Sequence, residues 1–319
     1  MDTRKNNDIA CKNAPVFVVG VDRSGTTLLN VMLDAHPDLH ITYEVRAILD
    51  YAKKLDSYGD ISNSSSRKRL IVDMLNDERI KSSFPWLTIE DIYLDDVVSF
   101  SDIIERIYHS ALIKYNKKIW GDKDPGYTQN IDVLNRLFPD CKFIHIVRDG
   151  RDVAVSLEQK WWGPTTFTKA IQYWERMAIS TENMLGMLDE KRYIQVRYED
   201  LVSSPARELS LICNTIGINY SSEMLNYTKS ATEISGVKDR ITTIHPNINK
   251  PPEKDQIYKW RNSLGAPYQS IAHEMAGDAL KNFGYESGKT SHLLKPVYKF
   301  YDVIKESFLW RLKKLKIKK

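Results

Sequence analysis

The stretch PVFVVGVDRSGTTLLNVMLDA, Pro15 to Ala35, reads as strand, turn and helix in immediate succession. Pro15 to Gly20 is a short unbroken apolar and β-branched run, the pattern of a strand covered on both faces. From Thr26 onward the apolar residues Leu28, Leu29, Met32, Leu33 and Ala35 recur at helical spacing and share one buried face, and Pro37 sets the helix end at about Ala35 or His36. The pattern returns further along the chain. Lys142 to Val147 (KFIHIV) is a second buried strand, followed by a polar turn, Arg148 to Arg151, and a helical pattern from Asp152 to Glu158; Tyr193 to Val196 (YIQV) is a third, leading into Arg197, Tyr198, Glu199 and Asp200. Strands alternating with long helical stretches predict the α/β class, with a parallel β-sheet flanked by helices on both faces.

Gly20 to Thr27 (GVDRSGTT) comes close to the phosphate-binding P-loop, GxxxxGK(S/T), with Thr26 where that motif has Lys and Thr27 in the Ser/Thr position. A strand, a glycine turn and a helix N-terminus set backbone N–H donors around a concavity at the positive end of a helix dipole, which suits phosphate or sulfate. A nucleoside triphosphatase would need the missing Lys and a magnesium site. In this sequence the cation has moved to Arg23, a planar and permanently charged fork able to pair two oxygens of a tetrahedral anion without a metal.

The rest of the chain bounds the possibilities. With 319 residues, 42% hydrophobic and 10% aromatic, it can bury a substantial core, which excludes a disordered protein. Lys and Arg outnumber Asp and Glu by 46 to 42, too small an excess to suggest nucleic acid. Cys11, Cys141 and Cys213 are odd in number and widely spaced, against a disulfide framework or a CxxC metal site, so a reducing compartment is expected. The opening MDTRKNNDIACKNA has no signal or transit character, no run approaches a membrane span, and the sequons at Asn63, Asn219 and Asn226 are read as unused. A cytoplasmic protein is expected. The densely basic Arg311 to Lys319 (RLKKLKIKK) follows the aromatic and apolar Val297 to Trp310, which leaves peripheral membrane contact open. The expected organisation is a disordered segment over 1–14, one domain over 15–285 with a helical insertion at about 60–118, and a basic tail over 286–319. Ser62 to Ser66 (SNSSS) marks a loop or a helix cap, and Lys229 to Pro252, with Gly236, Pro246, Pro251 and Pro252, reads as a long loop.

With these pieces the sequence resembles the sulfotransferases that use 3′-phosphoadenosine 5′-phosphosulfate, over roughly residues 15–285. The resemblance implies that Arg23, Ser24, Gly25, Thr26 and Thr27 form the 5′-phosphosulfate loop. It implies that Arg148, directly after the KFIHIV strand, and Ser156, eight residues on, bind the 3′-phosphate; both can reach one anion at the start of the following helix. Trp120 to Pro125 (WGDKDP) resembles a segment in which a Lys, here Lys123, faces the transferred group. Tyr198 to Leu201 (YEDL) and Lys259 to Arg261 (KWR) resemble later motifs, which makes Tyr198 and Lys259 candidate nucleotide contacts. RSGTTLLNVMLDAHPDLHITYEVR looks especially like tyrosylprotein sulfotransferases, whose Glu base aligns with Glu44.

The expected activity is metal-independent sulfuryl transfer to a hydroxyl by in-line displacement. Arg23 and Lys123 stabilise developing charge, and Glu44 takes the acceptor's proton, with Arg46 as its neighbour. His36 and His40 are rival bases; His145 reads as a satisfied core histidine, and Trp161 and Trp162 as a domain edge. The acceptor stays open among carbohydrate, lipid, peptide tyrosine and small molecules. The alternatives are a P-loop kinase and a non-catalytic nucleotide-binding protein.

Overall fold

A computed structural model describes residues 13–93, 97–230, 254–286, 296, 300 and 302–304. Five strands, β1 (Val16–Val19), β2 (Leu39–Tyr43), β3 (Ile119–Lys123), β4 (Lys142–Val147) and β5 (Tyr193–Arg197), form one sheet in the order β2-β3-β1-β4-β5. Every pair is parallel. The apolar runs identified in the sequence are β1, β4 and β5. β2 (LHITY) and β3 (IWGDK) are additional, short and partly polar because their last residues enter the crevice described below.

Both faces of the sheet are covered, and the alternation of β1 shows how. Phe17 and Val19 pack with Trp120, Phe143 and Tyr108, whereas Val16 and Val18 pack with Leu29, Ile144, Val196 and Ile212 on the other side. The helix Thr26–Asp34 follows β1 directly. Between β2 and β3 the described residues form five α-helices, Ala47–Ala52, Ser64–Asn76, Glu78–Ser83, Ile89–Ile92 and Phe100–Tyr115. The serine cluster is indeed a cap: Asn63 accepts the Ser65 N–H at 2.9 Å and starts the second of these helices. Phe100–Tyr115 begins with a reciprocal box between Ser99 and Asp102 and ends at Asn116 with φ 53°. Helices Gly150–Glu158, Phe167–Leu185 and Ala266–Asn282 build a third cluster around Trp174. Gly150 permits it, since a Cβ there would stand 2.4 Å from the Trp174 ring.

The strand order fixes where a ligand can bind. The chain leaves β1 toward β2 and leaves β4 toward β5, in opposite directions, so the connections after these two adjacent strands diverge and open a crevice at their C-terminal ends. The loop 20–25 and the turn after Val147 form its walls. Residues 1–12, including Cys11, and most of the expected long loop, 231–253, lie outside the described residues. Cys141 and Cys213 are buried free thiols, pushed up to about 12 and about 11 by burial. Such thiols are inert.

Phe17 is wholly buried and meets Trp120 and Tyr127 edge-on at 5.8 and 5.4 Å. Phe17→Ala is expected to cost about 3–5 kcal/mol in urea unfolding, the range for emptying a buried aromatic position; a loss under about 1 kcal/mol would show that this face tolerates collapse.

Candidate active site

The loop between β1 and its helix is shaped for an anion. Gly25 is the residue before this nine-residue helix, has φ 95° and brings no side chain to cap it. A Cβ on Gly25 would lie 2.4 Å from the Tyr198 ring, so only glycine lets that ring close against the loop. Arg23 is also left-handed, at φ 69°, and its Nε donates to Ser156 Oγ at 3.1 Å. Arg148 stacks on Tyr198, 4.5 Å from guanidinium carbon to ring centre, and donates to the carbonyls of Arg23 at 3.3 Å and Gln256 at 2.8 Å. Its carboxylate neighbour is Asp152, 3.5 Å away.

The electrostatics of this end are unbalanced. Burial and the Arg148 charge lower the pKa of Arg23, and the Arg23 charge in turn lowers that of Lys160. Three cations therefore crowd one helix N-terminus. Ser24 Oγ and Arg148 Nε are buried there without a hydrogen-bond partner, and an oxyanion would satisfy both.

The second half of the crevice is built where β2 and β3 end. Tyr43 and Lys123 are register partners, and the Glu44 N–H donates to the Lys123 carbonyl at 2.8 Å, carrying the pairing one residue further. The Lys123 ammonium, 1% exposed, sits 2.7 Å from Glu44 Oε1 and 3.6 Å from the centre of the Tyr43 ring. Burial pushes the Lys123 pKa down while Glu44 pulls it up. Arg46, expected beside Glu44, lies on Asp124 instead, at 3.7 Å; the residue that pairs with Glu44 is Lys123. Asp22 joins the two halves. Burial raises its pKa, the Tyr173 hydroxyl donates to it at 3.1 Å, and it feels the charges of Glu44, Lys123 and Arg23.

A buried clasp holds the outer loop in place. Asp149 receives Arg151 Nε at 2.9 Å, Arg151 Nη2 at 2.7 Å and Trp260 Nε1 at 3.0 Å, and the Arg151 guanidinium lies 3.7 Å from the Trp260 ring centre. Asp152 accepts the Trp260 backbone N–H at 2.8 Å. Glu199 accepts the Asp149 N–H at 3.0 Å and the Tyr285 hydroxyl at 2.9 Å. In the KWR segment it is thus the Trp that docks. Lys259 is exposed before the helix Trp260–Ser263, and Arg261 pairs with Glu286 at 3.2 Å.

The structure gathers Arg23, Ser24, Gly25, Thr26, Thr27, Arg148, Ser156 and Tyr198 at one end and Glu44 and Lys123 at the other. The histidines lie elsewhere. His36 and His40 precede or begin β2, at the end of the sheet opposite Glu44: His36 Nδ1 accepts the Asp38 N–H at 3.0 Å, and His40 sits 3.0 Å from Asp34. His145 is buried, as expected; burial lowers its pKa to about 4 against the opposing pull of Gln195, so the ring is a neutral core group. Asp22, Tyr43, Tyr173 and the clasp residues were not singled out from sequence; the acidic side chain inside a glycine loop was the available signal for Asp22.

A doubly wound α/β sheet with a cation-lined loop at its switch point defines a protein that binds tetrahedral anions. Residues 15–222 match the sulfotransferase family, and the chain belongs to that family. Protein-tyrosine sulfotransferase 2 of Gallus gallus is 26% identical over 279 residues, covering 85% of this chain and 69% of the relative. Protein-tyrosine sulfotransferase 1 of Homo sapiens is 26% identical over 298 residues, covering 90% and 74%. Among solved structures, the sulfotransferase domain of the Synechococcus PCC 7002 olefin synthase superposes with TM-score 0.60 at 24% identity, covering 86% of this chain and 95% of that one. The sulfotransferase domain of the curacin biosynthetic pathway gives 0.59 at 22%, covering 86% and 99%; both are likenesses of fold. The chain is a sulfotransferase, an enzyme of sulfuryl transfer.

Asp124, buried and close to the Asp122 charge, has its carboxyl raised from 3.8 to about 6. The folded state thus holds this proton more tightly than the unfolded chain, so Asp124 favours folding below about pH 4 and loses that contribution as pH rises toward about 6. Relative to wild type, Asp124→Asn is expected to gain up to about 3 kcal/mol of stability between about pH 4 and pH 7 in urea unfolding. A difference independent of pH would contradict the raised value.

Proposed function

We propose that this sulfotransferase takes its sulfuryl group from 3′-phosphoadenosine 5′-phosphosulfate, holds it without a metal, and delivers it to a hydroxyl with Glu44 as general base. The observation that carries this reading is the crowding of Arg23, Arg148 and Lys160 at a helix N-terminus. Mutually repelling cations, two of them half-buried, are costly alone and are relieved by a ligand bearing several negative charges. A 5′-phosphosulfate on the loop of residues 23–27 and a 3′-phosphate near Arg148 and Ser156 supply those charges at two points.

In the transfer step, Glu44 accepts the proton as the acceptor oxygen forms its bond to sulfur, and the bond from sulfur to the 5′-phosphate oxygen breaks, releasing 3′-phosphoadenosine 5′-phosphate. The contact of Glu44 with Lys123 gives both groups a place in this step. Lys123 holds the carboxylate at the crevice before the reaction, and its remaining N–H donors can turn to the sulfuryl oxygens as negative charge builds on the leaving side. Arg23 serves the bridging oxygen from the loop. Tyr198 shapes the loop through Gly25 and orients Arg148; Lys259, exposed on the segment clasped by Asp149 and Asp152, is assigned to the solvent side of the nucleotide.

The acceptor class rests on the relatives, two of which carry the name protein-tyrosine sulfotransferase; a phenolic hydroxyl, acidic enough to need only a carboxylate base, fits Glu44 chemically. A cytoplasmic or other reducing setting is supported by the buried free thiols Cys141 and Cys213.

Calorimetric titration with 3′-phosphoadenosine 5′-phosphate in the presence of EDTA tests the donor. Binding is expected, and Arg148→Ala should weaken it at least about tenfold, as expected for losing a charged hydrogen-bonding partner. A preference for magnesium-ATP would instead make the protein a kinase. Glu44→Gln is expected to leave that affinity within about twofold while kcat falls by roughly 10²–10⁴. Unchanged turnover would remove Glu44 from the role of base.

A further inference from the structure

Near its C-terminus the chain presents a turn of helix with its polarity inverted. Residues 300 and 302–304 are helical. Asp302, the polar member, is buried at 5% exposure, accepting the Tyr268 hydroxyl at 3.2 Å and the Thr168 hydroxyl. Phe300, Val303 and Ile304, at i, i+3 and i+4, share the opposite face and are 67%, 59% and 52% exposed. Pinning the carboxylate inward fixes the apolar face outward. A second exposed apolar group lies at the same end of the helix Phe167–Leu185. Trp161 and Trp162 are 83% and 46% exposed and stand just before its N-cap, Thr166, while Thr168, in its first turn, holds Asp302.

We infer that this face docks on the surface of an anionic phospholipid bilayer. The chemistry of the adjoining sequence selects that partner. Residues 305–319 carry seven Lys and Arg against one Glu, a net +6, in a chain whose total is +4. Phe308, Leu309, Trp310, Leu312, Leu315 and Ile317 are interleaved with those cations. Apolar side chains that enter the acyl boundary, aromatic residues at headgroup depth and clustered cations against acidic lipid are the three components of interfacial binding. A second copy of the chain would carry the same excess of cations and so lacks the opposite charge that acidic lipid offers. The residues changed in its test belong neither to the donor site nor to the base.

Sedimentation of the full chain with vesicles of phosphatidylcholine alone, or of phosphatidylcholine with phosphatidylserine, tests the inference. Binding is expected to the mixed vesicles and to weaken with added salt. Joint replacement Phe300→Ser, Val303→Ser and Ile304→Ser should lower the partition coefficient at least about tenfold. A second variant with Lys313, Lys314, Lys316, Lys318 and Lys319 changed to Gln should do the same without touching any described contact. Both variants should keep wild-type affinity for 3′-phosphoadenosine 5′-phosphate or, should that ligand not bind, the wild-type unfolding curve. Three results would overturn the inference: no binding to mixed vesicles, binding by the triple-serine variant equal to wild type, or a concentration-dependent dimer in equilibrium sedimentation that this variant abolishes.

Discussion

One buried carboxylate organises the reactive end of this protein. Asp122 is fully enclosed at β3, and burial raises its pKa, so that it needs donors on every side. It receives them from Thr42 Oγ1 at 2.7 Å, Tyr108 Oη at 2.8 Å, Tyr127 Oη and the Lys123 N–H at 2.9 Å. These partners come from β2, from the helix Phe100–Tyr115, from the turn after β3 and from β3 itself. Removing any one would leave a buried charge undersolvated, so the four elements are locked in mutual register. Lys123 and Asp124 follow directly, and Glu44 lies two residues past Thr42. The groups assigned to the reaction are therefore held at two adjacent strand ends by a carboxylate that takes no part in it.

That dependence explains which parts of the molecule were legible in the amino-acid sequence. β1 and β4 announce themselves because VFVV and KFIHIV are buried for most of their length, and apolar runs are what such strands require; β5 is half-buried and shows through the apolar residues of YIQV. β2 and β3 do not, since LHITY and IWGDK give their C-terminal positions to Thr42, Tyr43, Asp122 and Lys123. Their pattern is set by the site rather than by the core. The loop GVDRSGTT was readable because its geometry is local: a strand, a glycine and a helix start within a dozen residues. The pairing of Glu44 with Lys123 spans 79 positions, and only the register of β2 on β3 brings the two together. Arg46, nearer in sequence, was the natural partner to expect. Its own conformation, φ 60°, turns it onto Asp124 instead.

Conformational strain is concentrated in the same place. Arg23, Glu44 and Arg46 all occupy the left-handed region, at φ 69°, 51° and 60°, where a side chain costs on the order of 1 kcal/mol. None is glycine, and each carries a charge. Such positions persist only when their surroundings over-determine them. Arg23 is held by Ser156 through its side chain and by Arg148 through its carbonyl, and Glu44 by a backbone bond to Lys123 and a salt bridge to the same residue. The fold spends stability so that charged side chains at the ends of parallel strands turn into the crevice rather than continue along the sheet.

The distribution of those charges has direction. One end of the crevice holds Arg23, Arg148 and Lys160 against Asp152; the other holds Glu44 and Asp124 with Lys123 and Arg46, and Asp22 lies between them. A polyanionic donor is drawn to the first end and repelled by the second, while a neutral hydroxyl can approach the second without penalty. Lys123 stands at the boundary, and its bond to Glu44 keeps the two ends from neutralising each other across the gap. When charge moves from the acceptor oxygen through sulfur toward the bridging oxygen, it moves away from the carboxylates and toward the cations. In the transfer proposed above, the field set by these side chains before any ligand arrives thus points along the reaction coordinate. An arrangement of that kind lowers a barrier without having to rearrange.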